Sequence, residues 1–134
     1  MSEAAAPRAV VEGHAGFAAG MVSAVDRIAG LGAALLAVSN DGLDAAAVEA
    51  AVRDALRSHG ARVVFTDLPA GSCTMAARRI AREDPSVAVV TGVSVATLLD
   101  FVMGAGDAED DLRRAATRGG EAVRVFPAGG MRAG

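Results

Sequence analysis

The chemistry this sequence can support centres on His14. It follows the apolar run Ala9-Val10-Val11, sits in the stretch Gly13-His14-Ala15-Gly16, and opens toward a segment of helical spacing. Glycines let backbone approach closely, and a helix N-terminus offers free N–H groups and a dipole that favour an anion. A neutral imidazole there becomes a nucleophile at Nε2 when an acceptor holds its Nδ1–H. That bond fixes the tautomer and stabilises positive charge on the ring. Asp67, at the carboxyl end of another strand-like run, is the expected acceptor. Ser72 and the amides around it, in Asp67-Leu68-Pro69-Ala70-Gly71-Ser72, could then bond the oxygens of an incoming phosphoryl group. Such bonds are where phosphoryl-transfer catalysis chiefly lies.

Plainer readings of the same residues stand beside this one. A lone loop histidine is more often structural than catalytic. Asp67 before Leu68-Pro69 is also a turn-former, and Ser72 also reads as a helix N-cap. His59 reads as a cation near a helix end. Cys73 lies at a helix start, which could lower its pKa, but a small packed thiol is the simpler role. Ser23 has no base nearby in sequence, so a serine-hydrolase reading is weak. Two histidines and one cysteine, far apart, do not make a zinc pattern.

The elements that must position these residues follow from apolar runs alternating with helical patterns, the rhythm of an α/β domain with a mostly parallel sheet. Strands are predicted at Ala9–Val11, Ala33–Val38, Arg62–Thr66, Val87–Val90 and Glu121–Phe126. The uninterrupted Val87–Val90 run is expected to be central. Phe17, Met21, Val25 and Ile28 mark a first helix, closed by Gly30 and Gly32. Asp44 to Ser58 is a second, with Asp44 as N-cap and His59-Gly60 as its end. A third starts near Ser72 and stops at Asp84-Pro85, and a fourth carries Val95, Leu98, Leu99 and Val102. The last has Asp107, Glu109, Asp110 and Asp111 at its start and Arg113, Arg114 and Arg118 toward its end, a charge order that suits the helix dipole. Gly119-Gly120 is expected to end it. The whole, 1–134, reads as one domain with a doubly wound open sheet and flexible tails at 1–7 and 127–134. In such sheets ligands gather at the carboxyl ends of the strands. That rule selects the loops of His14, of Asp67 to Ser72, and of Thr91 to Ser94.

Composition narrows the function classes. All 13 basic residues are arginine, so Schiff-base, P-loop and receiver lysines are excluded. A net charge of −3, no tyrosine or tryptophan and four phenylalanines make stacking on nucleic acid a poor prospect. One cysteine makes no internal disulfide, no apolar run is long enough to span a bilayer, and the N-terminal residues lack a signal-peptide pattern. A cytoplasmic protein is the expectation.

Three stretches together resemble the IIA components of the mannose-type sugar phosphotransferase system. They are Val11-Glu12-Gly13-His14-Ala15-Gly16-Phe17-Ala18-Ala19-Gly20 running on to Gly30, Asp67 to Cys73, and Thr91 to Leu99. In that family the first resembles Gly-His-Gly-x-Phe-Ala-x-Gly, the second an aspartate followed by Gly-Gly-Ser-Pro, and the third Thr-Gly-x-Asn-x-Pro-x-Leu-Leu. Thr117 to Val123 is similar to the family's final turn and strand. The resemblance implies that His14 is phosphorylated by phospho-HPr and passes the group to a IIB partner. It implies that Asp67 orients the ring and that Gly13, Gly16, Gly71, Ser72, Gly92 and Ser94 belong to the phosphate and partner loops. It further implies a homodimer in which the last strand, near Val123 to Phe126, crosses to the other subunit. Service to a membrane IIC/IID permease, with no metal or nucleotide in this subunit, follows from the same likeness.

The sequence also departs from that pattern. Ala15 and Ala70 replace glycines, Cys73 and Thr74 stand where proline and an aromatic are usual, and Ser94 and Ala96 replace asparagine and proline. Glu12 is unusual beside the histidine. It opposes a phosphoryl group if it points inward, although strand alternation can turn it away. The alternative function is therefore a docking or regulatory module of the same fold that transfers nothing. A flavodoxin-type binder or receiver is weaker, for want of aromatics and of an acidic cluster at the first strand.

Overall fold

The computed structural model describes residues 6–130, so most of the expected tail 1–7 and the end of the tail 127–134 lie outside the described residues. Strand β1 (Ala9–Gly13) is followed by α1 (Phe17–Ala29), β2 (Leu35–Ser39), α2 (Ala45–His59), β3 (Val63–Thr66), α3 (Ser72–Glu83), β4 (Ala88–Val90), α4 (Val95–Met103) and α5 (Glu109–Glu121). The four strands are parallel, in the order β2-β1-β3-β4. Parallel strands need helical crossovers, which is why an α-helix follows each one.

Alternation along β1 sorts the two faces. Ala9 and Val11 join Leu35, Val63 and Phe65 against α1, α4 and α5. Val10 joins Val64 on the opposite face, packed by Val52, Ala55 and Leu56 of α2 and Ala77 and Ile80 of α3. The sheet is thus doubly wound. Phe65 and Phe101 meet edge to face with centroids 5.0 Å apart, and the Arg8 guanidinium lies 4.4 Å over the Phe101 ring. Arg8 also donates to the carbonyls of Phe101, Gly104 and Gly106, at and just beyond the C-terminus of α4.

Local signals explain the helix ends. Asp44 caps α2, its side chain accepting the Ala47 N–H at 2.8 Å, and Gly60 closes that helix in the left-handed conformation. Ser94 caps α4 in a reciprocal arrangement with Thr97.

Four expectations are corrected. The β4 run is at the sheet edge rather than central. It is apolar because Val87 and Val89 pack against the α2/α3 cluster and Ala88 and Val90 against the opposite one, each partly buried, while among the described residues no strand pairs its outer side. Residues 32–34 form a 3₁₀ turn, so β2 begins at Leu35. Gly119-Gly120 does not end α5, which continues to Glu121. Gly119 is buried there because α5 crosses the start of α4 so closely that a Cβ would collide with Thr97 Oγ1. Finally, Glu121 belongs to α5 and no fifth strand forms among the described residues. Val123, Val125 and Phe126 follow α5 without regular secondary structure, 81, 77 and 86 % exposed.

Candidate active site

The carboxyl ends of β1 and β3 lie side by side, with Glu12 opposite Thr66 in register. The residues that follow them, His14 and Asp67, are thereby brought together across 53 positions of sequence. His14 Nδ1 lies 2.7 Å from Asp67 Oδ2, and the His14 backbone N–H donates to the same oxygen at 2.9 Å. Partial burial works against the Asp67 charge, but these two bonds from His14 outweigh it and hold the carboxyl below its usual range. Asp67 is therefore an acceptor at neutral pH. The proton of the ring contact then belongs to Nδ1, which in the neutral imidazole leaves the lone pair on Nε2. The Asp67 side chain is 11 % exposed and that of His14 is 45 % exposed, so a half-exposed ring rests on a largely buried carboxylate.

Backbone fit supports this pair. A Cβ on Gly13 would lie 3.0 Å from Asp67 Oδ2 and would collide with the Phe17 ring. Gly71 has φ 110° and ψ 172°, a conformation open essentially to glycine alone. A Cβ there would sit 3.6 Å from His14 Cε1, so the N-cap of α3 lies against the imidazole.

Two helix N-termini flank the ring. Helix α1 begins three residues after His14 with Gly16 as its N-cap, and α3 begins at Ser72 behind Gly71. Neither has a side-chain cap; the Phe17 N–H is taken by the His14 carbonyl at 3.0 Å, and the positive ends of both dipoles are available to an anion. Ser72 is the first helical residue rather than the N-cap, with an exposed side chain.

The loop of Gly92 and Ser94 is tied to the end of β3, where the Val93 N–H donates to the Thr66 carbonyl at 3.1 Å. Gly92 and Ser94 line a cleft with Thr91, Thr97, Gly119 and Val123 between β4, α4 and α5. The Ser94 hydroxyl is engaged in capping α4 through Thr97 rather than in contact with His14.

Three features escaped the sequence reading. Ser39 and Asn40, read only as a turn, tether the histidine loop: Ser39 Oγ donates to the Ala15 carbonyl at 2.9 Å, and Asn40 Oδ1 accepts the Ala15 N–H at 3.3 Å. Ala15 takes a left-handed φ of 49° in that loop. Thr66 and Thr74 form a buried pair at 2.7 Å, joined by the Leu68 carbonyl, which fixes the Asp67 loop against α3. The register of β1 with β2 and β3 is the signal that would have found the first, because it places the ends of all three strands together.

Glu12 points neither into solvent nor at the exposed face of the imidazole. It is fully buried, on the α2/α3 face of the sheet, with both carboxyl oxygens lacking a hydrogen-bond partner. Burial, with help from the Asp67 charge and against the Cys73 thiol, pushes its pKa up to about 8. Cys73 is also buried, its thiol pushed up to about 11 chiefly by desolvation, so helix position does not activate it. Among the described residues, no group of three or more His, Cys, Asp or Glu is arranged to hold a metal ion, and no helix is long and apolar enough to cross a membrane.

The family model described as PTS system fructose IIA component matches residues 8–116. Among solved structures, the fold is similar to phosphotransferase system component EIIA from Streptococcus agalactiae, with TM-score 0.79 and 21% identity over 89% of this chain and 96% of that one. It is also similar to the mannose/sorbose specific IIA subunit from Enterococcus faecalis, with TM-score 0.77 and 17% identity over 96% of this chain and 100% of that one. The IIA protein associated with the fucose utilization operon from Streptococcus pneumoniae aligns with TM-score 0.69 and 20% identity, over 92% of this chain and 96% of that one. No curated protein matches the sequence. The matched span takes in β1 through most of α5, with both His14 and Asp67, and on that match the chain belongs to the mannose-type IIA family of the sugar phosphotransferase system.

Proposed function

We propose that the chain is a phosphoryl carrier that takes the group from phospho-HPr on His14 Nε2 and hands it to a IIB component. The observation that carries this reading is the His14–Asp67 contact at 2.7 Å, made by an imidazole side chain that is 45 % exposed. Nε2 attacks phosphorus as the N–P bond to the donor histidine breaks. Asp67 accepts the Nδ1–H throughout and stabilises the positive ring, while amides at the starts of α1 and α3 bond the phosphoryl oxygens. A half-exposed histidine suits a donor and an acceptor that are themselves proteins. Onward delivery to a sugar permease through IIB, from the cytoplasm, completes the role.

The working unit is a homodimer. The outer side of β4, unpaired among the described residues, and the exposed Val123, Val125 and Phe126 are complementary needs, each met if that segment pairs with the sheet of a second copy. A radiolabel relay measures the carrier role: label supplied as phospho-HPr is expected to appear on this chain and then on IIB. Label that reaches IIB equally well without the chain contradicts the reading.

A further inference from the structure

We propose that Glu12 is a charge-setting residue of the phosphoryl site, a carboxyl sealed beneath the start of α3 that is neutral when His14 is phosphorylated and that opposes phosphorylation once ionised. The proposal rests on the carrier role of His14 and adds a control that the role does not require.

Geometry comes first. Glu12 is the penultimate residue of β1, with Val38 of β2 and Thr66 of β3 as its neighbours in register. Alternation sends its side chain to the face shared with Val10, beneath α2 and α3, where none of it reaches solvent. Both oxygens are buried and unpartnered, a cost that a carboxyl limits by keeping its proton. The groups around it do not supply a countercharge. Helix α3 presents the buried Cys73 thiol, which stays neutral, and the Thr74 hydroxyl, which is engaged with Thr66 and the Leu68 carbonyl. The end of β3 contributes the Asp67 carboxylate, and the α2 residues packed on this face are the apolar Val52, Ala55 and Leu56.

With Glu12 neutral, the site holds one carboxylate, Asp67, against two helix N-termini, a balance that admits a phosphoryl dianion. Ionising Glu12 adds a second buried negative charge beneath α3, whose N-terminus helps hold that dianion. Linkage makes the effect reciprocal: a phosphoryl group on His14 strengthens proton binding at Glu12, and the proton favours the phosphorylated state by the same factor. Because the unphosphorylated carboxyl titrates near about 8, the control operates just above neutrality. Glu12 acts through charge at Asp67 and the helix terminus and touches no reacting atom.

The experiment equilibrates wild type and Glu12→Gln with one preparation of phospho-HPr across a pH series, reading the phosphorylated fraction by intact mass. The shared donor removes its own pH dependence from the comparison. A one-unit rise of the Glu12 pKa on phosphorylation corresponds to a loss of about fivefold in the wild-type equilibrium constant, relative to Glu12→Gln, between pH 7 and about pH 9. Parallel profiles overturn the proposal and leave the carrier role standing. No phosphorylation of either protein at any pH overturns both. A carbon-detected carboxyl titration of the wild type covers the case in which Glu12→Gln does not fold. A Glu12 midpoint near about 8, rising on phosphorylation, is the expected result, and a midpoint near the ordinary 4.5 overturns the proposal.

Discussion

His14 donates twice to one oxygen of Asp67, from its backbone N–H at 2.9 Å and from Nδ1 at 2.7 Å. The same carboxylate therefore fixes the loop and the ring together. Asp67→Asn keeps the size but offers an amide where an acceptor charge stood, so the ring loses its enforced tautomer. Phosphorylation of His14 is expected to slow by about a hundredfold or more, as for other histidines deprived of an orienting carboxylate. Rapid-quench transfer from phospho-HPr measures it, and a rate within a few fold of wild type contradicts the role given to Asp67.

Gly71→Ala places a methyl group in a conformation that only glycine adopts easily, 3.6 Å from the His14 ring. Strain of about 1–3 kcal/mol is expected, read as a lowered denaturation midpoint with the m-value unchanged. Movement of the α3 N-cap is also expected to shift the His14 ring resonances. An unperturbed midpoint and spectrum contradict the backbone geometry described.

Ala15→Gly acts in the opposite direction. Ala15 holds a left-handed φ of 49°, which costs an L-residue about 1–2 kcal/mol. Part of that relief is offset by the freer unfolded glycine, leaving a net gain of about 0.5–1 kcal/mol. Chemical denaturation decides it, and a loss of stability contradicts the strain.

Most of this arrangement was legible before the fold was known, for physical reasons. The apolar runs of β1 to β4 and the caps at Asp44 and Gly60 are local signals, and the resemblance around His14 and Asp67 is carried by short loops with fixed spacing. What escaped depends on partners distant in sequence. Val87–Val90 reads as central because its apolar run is uninterrupted, yet hydrogen bonding at its outer side is what decides an edge. Gly119 reads as a helix end because its actual reason, the close crossing over Thr97, is tertiary. Strand alternation predicts the face of Glu12, but its complete burial depends on α3 closing over the end of β1.

That burial has a consequence for stability. The folded Glu12 carboxyl holds its proton up to about pH 8, whereas in the unfolded chain it ionises near 4.5. Between those values the unfolded state binds fewer protons, so wild-type stability falls as pH rises, by about 1.4 kcal/mol per unit at most, and levels off above about 8. Glu12→Gln lacks this contribution. Its stability relative to wild type is expected to climb from pH 5 to pH 8, by about 3 kcal/mol in order of magnitude. A difference independent of pH across that range contradicts the assignment of a buried neutral carboxyl.

The most direct measurement is intact mass spectrometry after incubation with phosphoenolpyruvate, Enzyme I and HPr, on wild type and His14→Ala side by side. The account predicts a single acid-labile phosphoryl group on the wild type and none on the variant. No adduct on a folded wild type with a competent HPr, or an equal adduct on His14→Ala, contradicts it.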